Sequence, residues 1–575
     1  MKNLSLCVVL LATVVLAGIR VHYLKWDTPQ VAHVLTWDAF GYYLDLPGLF
    51  IYGDVEKLEW LPGILEKYRP TGSLYQVSEL PNGNWVMKYL LGLSILYAPF
   101  FFIGHGVAGW LGYAQDGFSA PYALAICFGA LAYAFLGLLL LRLVLRRFFS
   151  EPVAALVLLL TGLATNYVQY AAVDSAMTHG FLFSIYALAL WLIVRWHETP
   201  GLRLAFFIGL VIGLACITRP TEGVMLFLPL LWQKEGLDKR RFFRQQPAHL
   251  GWAVAGGFLG ILPQLLYWKT VTGGWIYDVG SKFLFFRPHW QVLAGWEKGW
   301  FVYTPVALLL VAGLLFLRPY PFRKAVLTFS LLNVWIIIAW ADWRYGASYS
   351  CRALVQSYPV WALALGAVLT KVWASRLKRL LLPLAAFLVY VNLFQIGQYN
   401  RTILHYNDMN RAYYRAIFLN PNPGPLDMSL LDTDEIIRDR GAFQQKQILR
   451  WDSMVVINKA GRSKSVFREG DIRQLEGYDA GREQWLYLEA QVKSDWGAFD
   501  TWLTAGLTLG ERRKRTACRM ENGISAPQAW NTVAFYFRLA PGFDGGRFAF
   551  FAETNSVQDI RIRQVRLILL ERKMN

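Results

Sequence analysis

The stretch at residues 121–147, PYALAICFGALAYAFLGLLLLRLVLRR, decides the fold. From Pro121 to Leu145 the only charge is Arg142, and the run then stops at Arg146-Arg147. About 20 apolar residues in a helix span a bilayer, and basic residues gather at the cytoplasmic end. The stretch therefore reads as a transmembrane helix followed by a cytoplasmic loop.

Working outward, residues 4–21, 153–170, 177–194, 250–268, 325–340, 353–369 and 380–396 read the same way, and 304–317 is a shorter version. Residues 204–232 read as two short helices broken at Thr218-Arg219-Pro220-Thr221-Glu222. The stretch 87–111 holds Pro99 and four glycines, so it is open between one span and a re-entrant pair returning to its own side. The expected fold is a polytopic α-helical membrane protein of about 11–13 transmembrane helices. Composition agrees: of 575 residues, 55% are hydrophobic and 17% charged, against about 25% charged in soluble globular proteins. A wholly soluble enzyme and a disordered chain are both excluded. Lys2 before an apolar core also suits a signal peptide, but no small-x-small cleavage site follows, so a retained anchor is expected.

The loops 146–147, 195–203, 234–244, 318–324 and 371–379 together hold 16 Lys and Arg, whereas the alternate short loops hold 7. With the N-terminus inside and the 87–111 stretch returning to its own side, that asymmetry sets these loops in the cytoplasm and everything after residue 396 outside it. Much of the net charge of +18 is thus an orientation signal rather than a nucleic-acid footprint. The expected location is a bacterial inner membrane, with the tail periplasmic.

The tail changes character. Asn420-Pro421-Asn422-Pro423-Gly424-Pro425 ends a linker at 401–430, and short alternating runs follow at 485–492, 501–509, 530–539, 547–553 and 560–570. Turn-rich gaps such as Pro541-Gly542-Phe543-Asp544-Gly545-Gly546 separate them, so residues 431–575 read as an antiparallel β-sandwich of the jelly-roll or carbohydrate-binding-module kind. Residues 1–400 are the expected catalytic domain, with a first outer loop at about 22–86. The five cysteines give no disulfide framework.

Polar residues cluster on one expected side. Asp38, Tyr42, Tyr43 and Asp45 follow the first span, Lys88-Tyr89 opens the 87–111 stretch, and Asp174 with His179 lies at the junction between the spans at 153–170 and 177–194. Arg219 and Glu222 sit at the helix break, and Asp342-Trp343-Arg344-Tyr345 leads to Arg352. Ionisable groups at membrane depth persist mainly where they face a cavity or each other. Two carboxylates with Lys and several Arg suit a group transfer with an anionic leaving group: a base accepts a hydroxyl proton and cations stabilise the departing phosphate. Each residue also has a plain structural reading: Asp38, Asp45 and Asp174 as helix caps, Lys88 snorkelling to a headgroup, His179 as a packing histidine, Arg219 with Glu222 as a local ion pair, Arg344 and Arg352 on lipid phosphates. No P-loop, G-x-G-x-x-G, H-E-x-x-H or paired C-x-x-C is present, so a donor activated on a lipid is expected.

In this order the motifs resemble the GT-C superfamily of integral-membrane glycosyltransferases, in its protein O-mannosyltransferase and aminoarabinose-transferase-like branch. The resemblance rests on Asp38-x-x-x-Tyr42-Tyr43, Lys88-Tyr89 leading to Ala98-Pro99-Phe100-Phe101, Asp174 before Met177-Thr178-His179, Gly213 to Pro220, Tyr303-Thr304-Pro305, and Trp343 with Gly346 and Arg352. It implies a polyprenyl-phosphate sugar donor, an extracytoplasmic glycan, lipid or protein acceptor, and inverting displacement. Asp38 is then the catalytic base or acceptor-orienting group and Asp174 a supporting catalytic acid; Lys88, Arg219, Arg344 and Arg352 are the donor-phosphate ligands; and Tyr42, Tyr43, His179, Glu222 and Trp343 substrate contacts. The first loop has Trp-Asp-Ala where that branch carries Asp-Glu, and Lys88 precedes Tyr-Leu-Leu where prolines are usual. No cofactor is expected, and no metal-ligand cluster stands out, although a divalent ion stays open. A transporter or flippase of lipid-linked sugars is the alternative, set against the absence of an internal repeat and the gathering of charge on one side.

Overall fold

The computed structural model describes residues 3–24, 34–495, 500–521 and 528–573. The chain forms two compact units, Met1–Leu393 and Phe394–Asn575. Among the described residues, seven helices are long and apolar enough to cross a membrane: Leu4–His22, Gly92–Leu111, Ala120–Leu145, Thr178–Glu198, Ala248–Thr272, Arg352–Trp373 and Lys378–Asn400. Glu151–Leu163, Leu202–Thr218, Pro220–Leu231 and Ala307–Phe316 are shorter apolar helices. The protein is a multi-pass α-helical membrane protein with a C-terminal β domain.

Polar staples hold the first helix at both ends. The backbone N and Oγ of Ser5 donate to Glu151 Oε1 (2.8 and 2.7 Å), Arg142 Nε donates to Ser5 Oγ (2.8 Å), and Arg146 pairs with the other Glu151 oxygen (2.7 Å). At the far end Arg20 is buried and donates to the carbonyls of Ala172 (3.2 Å) and Val173. These bonds satisfy charges that apolar surroundings would otherwise penalise. Helices Leu202–Thr218 and Ala248–Thr272 touch backbone to backbone: a Cβ on Gly209 would lie 1.9 Å from the Ala253 carbonyl oxygen, and one on Gly256 2.0 Å from that of Phe206. Small residues at such crossings let membrane helices approach closely.

Two expectations change. Residues 87–111 do not form a re-entrant pair, because Gly92–Leu111 is one continuous helix with Pro99 inside it. Membrane helices tolerate proline, and Gly104 serves packing, since a Cβ there would lie 2.9 Å from Tyr122 Cα. Both ends of this helix nevertheless meet the first loop. Ser94 donates to the Tyr42 carbonyl (2.5 Å) and to Asp45 Oδ2 (3.0 Å), and beyond the other end Asp116 takes Lys67 (2.8 Å) and Tyr68 (2.6 Å). The span expected at 153–170 ends at Leu163, and a π-turn, Gln169–Val173, follows. Asn392 caps the break by donating to the carbonyls of Leu163 and Thr165, both at 2.8 Å.

In the second unit two antiparallel sheets pack face to face. With β1 (Val77–Glu79) and β2 (Trp85–Met87) forming a hairpin in the first unit, the sandwich strands run from β3 to β11. They are β3 (Phe443–Trp451), β4 (Val455–Ile457), β5 (Lys464–Asp471), β6 (Gln484–Ser494), β7 (Thr501–Leu509), β8 (Arg512–Arg519), β9 (Asn531–Arg538), β10 (Arg547–Thr554) and β11 (Ile560–Arg572). The sheet orders are β5-β10-β7-β8 and β3-β11-β6-β9, with β4 beside β11. Leu486, Leu488, Phe535 and Phe537 meet Leu503, Leu507, Phe548 and Phe550 in the core. The outer face of β6 is also covered, as Trp485, Tyr487 and Tyr536 pack against Leu426, Ile437 and Phe443.

Candidate active site

Asp38 opens the short helix Asp38–Tyr43, after Trp37 at φ 52°. A non-glycine residue in this region is strained, and its surroundings hold it: Trp37 N donates to the Pro70 carbonyl (3.0 Å) and Gln76 Nε2 to that of Trp37 (3.1 Å). Asp38 Oδ1 accepts from the hydroxyls of Tyr89 (2.6 Å) and Tyr75 (2.7 Å), and Oδ2 from Arg352 Nη2 (3.1 Å). Gly41 makes this possible, for a Cβ there would lie 2.4 Å from the Tyr89 ring. The exposed Lys88 lies over both phenols, 5.2 Å from the Tyr75 ring and 5.7 Å from that of Tyr89. Burial pushes the Asp38 pKa up, but the Arg352 charge and the bonds from Tyr89, Tyr75 and Arg352 outweigh it and hold the carboxyl below its ordinary range.

A second group lies within electrostatic reach. Asp174 accepts from Gln169 Nε2 (3.1 Å), and burial raises its pKa against the opposing bond from Gln169 and the fields of Arg352 and Arg20. Burial raises the Tyr42 pKa, with Arg219 and Arg352 opposing and Asp38 reinforcing. Tyr42 therefore links the Asp38 and Arg219 sides, and its ring meets Tyr89 at 4.2 Å.

Behind it runs a buried chain of bonds. Gln356 Nε2 donates to Glu222 Oε1 (3.1 Å), Tyr186 donates to Glu222 Oε2, and Gln356 Oε1 therefore accepts from His179 Nδ1–H (3.0 Å). The network assigns that tautomer. Arg219 Nη1 lies 3.5 Å from the same ring nitrogen.

The structure thus brings together Asp38, Lys88, Arg352 and Tyr42, with Asp174 nearby, and joins His179 to Glu222 through Gln356, with Arg219 beside the His179 ring. It does not bring in Tyr43, which is buried with its hydroxyl on the Gly117 carbonyl (2.5 Å). Nor are Arg344 and Trp343 in the cluster: Arg344 Nε donates to Glu297 (2.8 Å), and Trp343 stacks on His289 (5.8 Å). Asp45 lies two turns beyond Asp38, buried, with burial pushing its carboxyl up to about 7. Sequence reasoning missed Tyr75, Gln356, Tyr186 and Lys298. Only Gln356 carried a usable signal, four positions after Arg352 in an apolar run.

Residues 118–268 match the family model for dolichyl-phosphate-mannose-protein mannosyltransferase. The match contains Asp174, His179, Arg219 and Glu222 and leaves out Asp38, Lys88 and Arg352. The chain resembles a GT-C membrane glycosyltransferase. No curated protein matches it. Among solved structures, the oligosaccharyltransferase of Archaeoglobus fulgidus with a tethered acceptor peptide is similar at 14% identity and a TM-score of 0.41, over 72% of this chain and 57% of that one. The arabinosyltransferase EmbB of Mycobacterium smegmatis is similar at 12% identity and a TM-score of 0.31, over 97% of this chain and 64% of that one. The chain spans less than two thirds of either protein.

Proposed function

We propose that the protein transfers a sugar from a polyprenyl-phosphate donor to an extracytoplasmic acceptor, working from a bacterial inner membrane with its sandwich domain in the periplasm. The observation that carries this reading is Asp38, held ionised by Arg352, Tyr75 and Tyr89 beside the exposed Lys88. In the proposed step an acceptor oxygen attacks the anomeric carbon as the bond from that carbon to the phosphate oxygen breaks, with inversion. Lys88 and Arg219 stabilise the departing lipid phosphate. Asp38, with its lowered pKa, orients and polarises the acceptor hydroxyl. Asp174, with its raised pKa, is the better eventual holder of the proton. The acceptor is a glycan, lipid or protein of the outer face.

The test is a panel of labelled polyprenyl-phosphate sugars offered to membranes containing the protein. Consumption of one donor with appearance of a labelled acceptor supports the reading. Movement of an intact labelled lipid across the bilayer without sugar transfer replaces it with a transporter.

A further inference from the structure

Lys298 belongs to neither the sequence motifs nor the mechanism above, yet it is 1% exposed. It sits between the short helices Gln291–Ala294 and Trp300–Tyr303. Its Nζ donates to the carbonyls of Ser348 (2.7 Å) and Gly346 (3.1 Å) and to Ser348 Oγ (3.1 Å). The adjacent Glu297 takes Arg344 of the same turn at 2.8 Å. That turn carries three residues in the left-handed region, Tyr345 (φ 54°), Gly346 (φ 61°) and Ser350 (φ 55°), of which two are not glycine. Such strain persists only where the surroundings over-determine it. The turn runs directly into Arg352–Ser357, and it passes the guanidinium itself: a Cβ on Gly346 would lie 3.9 Å from Arg352 Nη2.

We infer that Lys298 is a positioning residue for the active site: its ammonium locks the 345–350 turn in the shape that sets Arg352 against Asp38. The inference rests on the functional reading above. An ammonium has three N–H donors for these three oxygens; a neutral amine has two, so deprotonation removes one bond of the lock. Burial lowers the Lys298 pKa to about 7, aided by Arg352 and Arg344 and opposed by Glu297 and Asp342. The lock therefore holds below neutral pH and slackens above it.

Backbone hydrogen exchange of the full chain in nanodiscs, at pH 6 and 8.5, tests this without a donor. Lys298→Met is expected to speed exchange across 345–352 by about tenfold at pH 6 relative to wild type, with the gap narrowing at pH 8.5 as wild type itself loosens. Lys298→Arg, permanently charged, should stay protected at both values. Ser348→Ala, which keeps the lysine and removes one acceptor, should show a smaller effect, and it serves if Lys298→Met does not fold. Equal exchange in wild type and in Lys298→Met, or in Ser348→Ala if that variant alone folds, overturns the lock. The kinetic arm uses the labelled polyprenyl-phosphate sugar that wild type consumes. There Lys298→Met should lower kcat about tenfold with little change in KM, and unchanged kcat overturns the positioning of Arg352. Lack of any wild-type transfer overturns the functional reading instead, and leaves the exchange result to decide on Lys298.

Discussion

Arg352 and Asp38 stand 314 positions apart and meet at 3.1 Å. Breaking a buried ion pair by removing one partner costs about 3–5 kcal/mol; the Asp38 side chain is a quarter exposed, so Arg352→Gln should destabilise by nearer 2 kcal/mol. The Asp38→Asn/Arg352→Gln double variant should recover part of that loss in a thermal-denaturation cycle, and strict additivity would deny the coupling. Asp45 gives a prediction in pH. Its folded pKa of about 7 exceeds the ordinary value of 3.8, so the folded state binds the extra proton between them. Stability from this group is complete below about pH 4 and is lost as pH rises through 7. Asp45→Asn, which keeps the Ser94 contact without a charge, should raise the apparent Tm over wild type more at pH 8 than at pH 5. An equal shift at both values would contradict the assignment. Asp38 was legible because an acid stands in an aromatic, glycine-containing stretch just after a span. Tyr75 and Lys298 were not, because a tyrosine or lysine in a polar loop has nothing local to mark it, and its partners come from distant segments.

At the scale of elements, the helices were legible where apolar length alone decides, as at Ala120–Leu145. They were misread where a side chain from elsewhere repairs a break, as Asn392 does for the carbonyls of Leu163 and Thr165. The sandwich shows the same division. The five strands β6, β7, β9, β10 and β11 were found from apolar alternation, whereas β3, β4, β5 and β8 were not; β8, RRKRTACR, hides because its outward arginines reach acids on other segments, Arg515 to Glu553 and Arg519 to Asp432. The glycine crossing between Leu202–Thr218 and Ala248–Thr272 makes a sharp prediction. Gly209→Leu forces the two backbones apart and should abolish recovery of folded protein, whereas Gly18→Leu, with nothing within 4 Å of its Cβ, should be recovered normally. Equal recovery, measured by size-exclusion chromatography in detergent, would show that the crossing is not required.

For the whole molecule, the charge distribution carries the proposed orientation. Opposite faces are expected for Arg240, in the basic 234–244 loop, and for Asp544, on an exposed turn of the sandwich. In a background lacking the five native cysteines, Arg240→Cys should react with a membrane-impermeant thiol reagent only after the cytoplasmic side is opened, and Asp544→Cys from the outer side at once. Labelling of Arg240→Cys from the outer side at once, and of Asp544→Cys only after the cytoplasmic side is opened, would reverse the topology and remove Asp38 from the outer face. The central claim is transfer that depends on Asp38. Its most direct test is turnover of a labelled polyprenyl-phosphate sugar by wild type and by Asp38→Asn, each shown by thermal denaturation to be folded. The expected result is a fall of about 10²–10⁴-fold in kcat for the variant. Retained turnover in a folded Asp38→Asn protein would contradict the account.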